Sequence, residues 1–185
     1  MNSPANWRLG LVSKILHSSG VIAYPTEGVW GLGCLPAAAD AVLRILELKN
    51  RSVAQGLLLV AADIEQFETY LEGIDRDYRS ELEVNWPGAV TYLVPDNGTA
   101  PRWIVGNHPT LGLRVSAHPL VKTLCEAVGP LVSTSANITS RPAALNTFSV
   151  RRYFGDAIDY VVPGKLGESA GPSQIRVLET GEVIR

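Results

Sequence analysis

The chain has 185 residues, 46% hydrophobic and 18% charged, so it can bury one sizeable core and is not globally disordered. A formal net charge of −2 gives no sign of a generally basic nucleic-acid binder, so any RNA contact needs a local basic patch. No run approaches the roughly 18 apolar residues of a membrane span, residues 1–7 lack a basic-then-apolar leader, and Cys34 and Cys125 form neither a disulfide framework nor a zinc site; a cytoplasmic protein without membrane association is expected.

In chain order, Val12, Ile15, Leu16 and Ser19 at helical spacing predict a helix over residues 4–19, stopped by Gly20. Residues 21–24 form a short apolar run, read as a buried strand, and 25–36 read as a long glycine-punctuated loop. Val42, Ile45, Leu46 and Lys49 mark a helix over 37–49. A second buried strand follows at 57–61, then helices at 63–71 and 75–85. Trp86-Pro87-Gly88 breaks the pattern before a strand at 89–94 and a turn at 96–98. Residues 111–116 alternate as a strand, 119–128 form a helix with Leu120, Leu124 and Val128 on one face, and 130–133 return as a strand. A polar loop over 134–144, a helix at 147–154 and strands at 160–162, 175–178 and 183–184 complete the chain. Strands alternating with helices predict an α/β domain, and the short strands after Trp86 favour a mixed sheet; residues 1–185 read as a single domain.

Four segments carry candidate chemistry. Tyr24 to Gly33 follows a strand and holds three glycines in six residues, which lets backbone N–H groups approach an anion; an ordinary strand–helix connection has the same look. It fits neither a Walker loop nor GxGxxG. Lys49-Asn50-Arg51 ends a helix, either as C-terminal capping charge or as a phosphate clamp. Ser133-Thr134-Ser135-Ala136-Asn137 leaves a strand with three hydroxyls and an amide, suited to a ribose, a phosphate or an amino acid, or to a plain turn. Gly171-Pro172-Ser173-Gln174 alone says only turn. Ser133 and Ser135 make no hydrolase triad, since GxSxG is missing. His17, His108 and His118 share no ligand spacing and read as surface or helix-start residues. Trp7, Trp30, Trp86 and Trp103 read as core or pocket-lining, with Trp30 as a possible flank for a base.

Taken in order, YPTEGVWGLG (24–33), LKNRSVAQGLLLV (48–60), WPGAVTYLVP (86–95), LGLRVSAHP (111–119), PLVSTSAN (130–137), GPSQIR (171–176) and GEVIR (181–185) resemble the YrdC-like threonylcarbamoyl-AMP synthase family, in its short single-domain bacterial form. The resemblance implies a twisted mixed β-sheet with flanking helices and a concave basic cavity. It implies a nucleotidyltransferase that condenses L-threonine, bicarbonate and ATP, with Mg2+ carried by the ATP phosphates and no protein metal site. A downstream threonylcarbamoyl-transferase complex would then modify the adenosine beside the tRNA anticodon. Lys49 and Arg51 are the implied catalytic cations. Thr26, Arg51, Arg114 and Ser173 would meet threonine, while Lys49, Arg114, Ser133, Ser135 and Asn137 would meet the nucleotide. Val29, Leu32 or Pro25 would line the threonine methyl pocket. Weak, salt-sensitive tRNA binding would use Lys49, Arg51, Arg141, Arg151 and Arg152.

The chain departs from the family pattern at Gln55, where a Lys or His is usual, at Ile138-Thr139-Ser140-Arg141 after the SAN triplet, and at Gln174. Two other functions fit the same resemblance: a non-catalytic double-stranded RNA or tRNA-binding module using the same cavity, and a carbamoyl-phosphate-dependent maturation domain of related fold.

Overall fold

The alternation of apolar runs and amphipathic stretches folds into one mixed sheet with helices on both faces. The computed structural model describes residues 4–185, with side chains from residue 8 onward; Met1–Ser3, part of the segment read as leaderless, and the Trp7 side chain lie outside it. Helix α1 (Pro4–His17) precedes β1 (Ile22–Pro25) and β2 (Trp30–Gly33). Helix α2 (Ala39–Leu48) leads to β3 (Leu58–Ala61). Helices α3 (Glu68–Leu71) and α4 (Arg76–Asn85) lead to β4 (Val90–Pro95), and α5 (Arg102–Val105) to β5 (Thr110–Val115). Then come α6 (Pro119–Val128), β6 (Leu131–Ser135), α7 (Thr147–Phe154), β7 (Tyr160–Val161) and β8 (Gln174–Val177).

Strand order is β7-β1-β2-β6-β3-β5-β4-β8. β1 with β7, β3 with β5 and β4 with β8 run parallel; β1 with β2, β2 with β6, β3 with β6 and β4 with β5 run antiparallel. Local chemistry sets the helix ends. Asp75 caps α4 by accepting from Asp77 N, and Asn146 caps α7 by accepting from Ser149 N. Pro119 opens α6, and Gly129, at φ 83°, ends it in a conformation that few other residues adopt.

Because side chains alternate across a strand, each strand serves two layers. Ala23, Leu32, Leu59, Tyr92, Leu113 and Val132 face the larger core, which α2, α4, α5 and α7 cover with Ile45, Leu82, Ile104 and Val150. Ile22, Tyr24, Val60 and Leu131 face the other way, under Val12 and Leu16 of α1 and Val121 and Leu124 of α6. Helices α1 and α6 cover only part of that second face, and what they leave open becomes the candidate site.

Four sequence readings change. Strand β2 lies inside the segment read as a loop, because glycine fills two of its four positions and hides any alternation. Gly33 is required there, since a Cβ would stand 2.8 Å from the Tyr24 ring and 2.6 Å from the Val132 carbonyl. Strand β6 runs on to Ser135, so Thr134 and Ser135 belong to the sheet rather than to the polar loop. Helix α5 has only four residues, too few to show a period. Residues 183–184 contribute a single bridge, Val183 to Arg176, in place of a strand.

Candidate functional site

The open part of the second face is floored by alternate residues of five strands: Gly31, Leu58, Thr91 and Leu93, Gly112 and Arg114, and Ser133 and Ser135. Their neighbours Leu32, Leu59, Tyr92, Leu113 and Val132 point into the opposite core. Here the two-residue period places glycines, hydroxyls, Arg114 and two leucines toward a cavity of about 380 Å³, a size suited to a small ligand. Thr26 and Val29 from the β1–β2 turn, Arg51 and Gln55 after α2, His108, Pro172, Ser173 and Arg185 complete the wall.

Three guanidinium groups therefore share one cavity: Arg51, Arg114 and Arg185. No Asp or Glu side chain lines the cavity among the described residues, although the chain as a whole is slightly acidic. Arg51 donates to the carbonyls of Gly56 at 3.0 Å and Gln55 at 3.2 Å. Arg185 donates to the Ser173 carbonyl at 3.2 and 3.3 Å. Arg114 is 5% exposed, and its buried Nε has no protein partner. Burial, then the charge of Arg185, pulls Arg51 below its usual range. Burial, then the charge of Arg114, does the same to Arg185. An anion entering the cavity relieves both effects, since it restores solvation-like contacts and screens the mutual repulsion.

Behind Arg114 stands Glu27, a residue that sequence reasoning passed over. Its Oε2 lies 3.1 Å from Arg114 Nη1, an ion pair without an aligned hydrogen bond. Its Oε1 accepts from Ser116 Oγ at 2.6 Å and from Ala117 N at 3.0 Å. The Glu sits in plain view within the first candidate motif, but only the three-dimensional register brings it to the end of β5. Arg185 was also missed as a site residue; only the pairing of the closing segment with β8 returns it to the cavity.

Of the residues singled out from sequence, the structure brings Thr26, Arg51, Arg114, Ser133, Ser135 and Ser173 to the wall. Thr26 Oγ1 donates to the Val29 carbonyl at 2.8 Å, leaving its lone pairs toward a ligand. Ser173 Oγ shares a 2.9 Å hydrogen bond with Thr91 Oγ1. Lys49 and Asn137 do not line the cavity. Lys49 is 3% exposed, and its ammonium neither caps its own helix nor reaches the wall. It donates to the Ser135 carbonyl, to the Asn137 carbonyl at 2.8 Å and to Asn137 Oδ1 at 3.1 Å. Asn137 Oδ1 also accepts from Ser135 Oγ at 2.7 Å, and its Nδ2 donates to the Arg141 carbonyl at 2.6 Å. Thr139 closes the knot, with its Oγ1 at 2.7 Å and its N at 2.9 Å donating to the Lys49 carbonyl. Trp30 and Leu32 are buried in the core, so neither flanks a base nor lines a methyl pocket; Val29 is the apolar wall residue of that loop. Among the described residues no group of three or more His, Cys, Asp or Glu side chains could hold a metal.

The family model for Sua5, YciO and YrdC proteins, described as "Telomere recombination", matches residues 14–185. A threonylcarbamoyl-AMP synthase from Nitrosococcus oceani is 51% identical over 181 residues, covering 97% of this chain and 98% of that one. Among solved structures, Sua5 of P. abyssi complexed with L-threonine superposes with a TM-score of 0.89 at 27% identity, covering 97% of this chain; this chain spans only 54% of that longer protein. E. coli YciO superposes at 0.87 with 25% identity, over 100% of this chain and 91% of the other.

Two outcomes follow from the site's charges. Replacing Arg51 or Arg185 with Ala should weaken binding of inorganic pyrophosphate at least about tenfold, since a hydrogen bond to a charged group contributes roughly 1.5–3 kcal/mol. Calorimetry on folded variants checks this, and unchanged affinity in both would return Arg51 to a capping role. Lys49 is pulled down to about 8, first by burial and then by the nearby Arg51 charge. Its ammonium is therefore kept below that pH and lost above it. Raising the pH from 7 to 9 should weaken binding of sulfate, whose own charge is constant, by about threefold or more. A Lys49→Met variant lacking that limb confirms Lys49 as the source; the same limb in both proteins would assign it elsewhere.

Proposed function

The chain belongs to the Sua5/YciO/YrdC family, and from that premise we propose that it is a threonylcarbamoyl-AMP synthase that condenses L-threonine, bicarbonate and ATP. The observation that carries the reading is the convergence of Arg51, Arg114 and Arg185 with the hydroxyls of Thr26, Ser133, Ser135 and Ser173 on one cavity. The threonine amine and bicarbonate give a carbamate and water. A carbamate oxygen then attacks the α-phosphorus of ATP, forming the mixed anhydride as pyrophosphate leaves. Both reactants are anions, so the main requirement is fixed positive charge where they meet.

Arg114 and Arg51 bind the threonine carboxylate and the carbamate, and Arg185 with Arg51 binds the triphosphate. Thr26 and Ser173 accept or donate to the amino acid, and Ser133 and Ser135 to the nucleotide. Lys49 and Asn137 act one step back, holding the loop that presents Ser135. No covalent enzyme intermediate is needed; rate comes from positioning and electrostatics. Magnesium enters with the ATP phosphates, because Glu27, the carboxylate beside the cavity, is already engaged by Arg114, Ser116 and Ala117.

The adenylate product is a reactive acyl donor. A downstream transferase complex takes its threonylcarbamoyl group to tRNA, while any direct tRNA contact is weak and uses the exposed Arg141, Arg151 and Arg152. No described helix is long and apolar enough to cross a membrane, and we place the reaction in the cytoplasm. A non-catalytic RNA-binding module is the lesser reading, since the full-length relatives carry the synthase name.

Incubation with ATP, magnesium and bicarbonate should release pyrophosphate only when an amino acid is added. Threonine should work best and serve as reference. Serine should be modestly worse, since one methyl in an apolar pocket is worth only about 1–3 kcal/mol. Valine should be essentially inactive, because the hydroxyl partners would be left unpaired. Release independent of threonine and bicarbonate, or valine matching serine, would contradict the assignment.

A further inference from the structure

We propose that Glu27 is a positioning residue for the anion site. Its carboxylate holds the Arg114 guanidinium in place against the repulsion of Arg185, while its backbone carbonyl joins the same turn to the strap, residues 167–173, that carries Ser173. The inference rests on the reading under Proposed function.

A carboxylate beside an anion site opposes the ligand's charge, so its presence needs a reason. Glu27 is 7% exposed and touches three parts of the fold. Oε1 accepts from Ser116 Oγ and Ala117 N, which follow β5, and Ser116 Oγ in turn accepts from His118 N at 3.2 Å, where α6 begins. Oε2 faces Arg114 Nη1 across 3.1 Å. The Glu27 carbonyl accepts from Ser169 N at 3.1 Å, and the neighbouring Thr26 carbonyl accepts from Gly167 N at 3.0 Å. At Gly28 the Gly171 carbonyl occupies the space a Cβ would take, so the strap lies directly on this turn. Two residues farther on, Ser173 bonds Thr91 and receives Arg185 on its carbonyl.

Arg114 is thus held through Nη1, while its buried Nε has no protein partner. Arginine has four side-chain torsions, and among the described residues Glu27 is the one carboxylate paired with Arg114 that opposes its turning away from Arg185. Glu27 neutralises one of the three cations that converge on the cavity, which lets the guanidiniums coexist without a bound anion.

The test is Glu27→Gln, with pyrophosphate affinity by calorimetry, steady-state kinetics and thermal unfolding measured in parallel. Removing a negative charge makes the cavity more cationic, so a simple electrostatic view expects tighter binding. Positioning expects the reverse: a folded variant that binds pyrophosphate at least about fivefold more weakly, with KM for ATP raised. In an Arg114→Ala background the same change should add less than about twofold, since the group to be positioned is gone. Unchanged or tighter binding in Glu27→Gln, or an undiminished effect without Arg114, would overturn the proposal. Should Glu27→Gln fail to fold, Ser116→Ala removes one carboxylate contact without altering charge and should weaken pyrophosphate in the same direction; no change there would overturn it equally. Wild-type protein that binds pyrophosphate but does not release it from ATP with threonine and bicarbonate would sink the proposed function and leave this test readable.

Discussion

Holding three guanidinium groups around one cavity is the constraint on which the rest of this structure depends. Like charges at close range in a partly dry site repel, and burial removes the water that would screen them. The depressed positions of Arg51 and Arg185 register that cost. The fold meets it with fixed acceptors: carbonyls of Gln55 and Gly56 for Arg51, of Ser173 for Arg185, and the Glu27 carboxylate for Arg114. Each guanidinium is held by part of its fork and keeps the remainder for a ligand, which is what a preorganised anion site requires.

The sheet supplies the floor for this arrangement. Strands β2 to β6 present small and polar side chains on one face and the main core on the other, so the stability of the domain and the shape of the cavity come from the same residues read in alternation. Burying a Leu or Val on the core face contributes about 1.5–3 kcal/mol each, which anchors the strands and offsets the strain of the charged face. The knot of Lys49, Ser135, Asn137 and Thr139 fastens the end of α2 to the end of β6. Two of its members, Lys49 and Asn137, are side chains that the sequence reading places in direct contact with ligand but that lie off the cavity wall.

Much of this was legible beforehand, for identifiable reasons. Helices α2 and α6 were visible because their apolar residues recur at helical spacing and glycine or proline marks an end. Arg114 was legible as a site residue only through the family resemblance, not through its strand pattern. Strand β2 was hidden because Gly31 and Gly33 erase the pattern on which strand reading relies. The roles of Glu27 and Arg185 were hidden for a different reason: Glu27 meets Arg114 from a distant part of the chain, and Arg185 reaches the Ser173 carbonyl only once the closing segment folds back on β8, so no local period encodes either contact. The residues alone leave Lys49 between helix capping and a phosphate clamp, and the resemblance places it at the ligand; its burial and its three acceptors appear only when β6 is in place.

A structure of the protein with a non-hydrolysable ATP analogue and L-threonine tests the central claim most directly. The account expects the phosphate oxygens within hydrogen-bond distance of Arg51 and Arg185, the threonine carboxylate on Arg114, and Lys49 still bonded to the Ser135 and Asn137 carbonyls. Phosphates seated outside the cavity, for instance on the exposed face of Arg141, Arg151 and Arg152, with the three guanidiniums free of ligand, would contradict it.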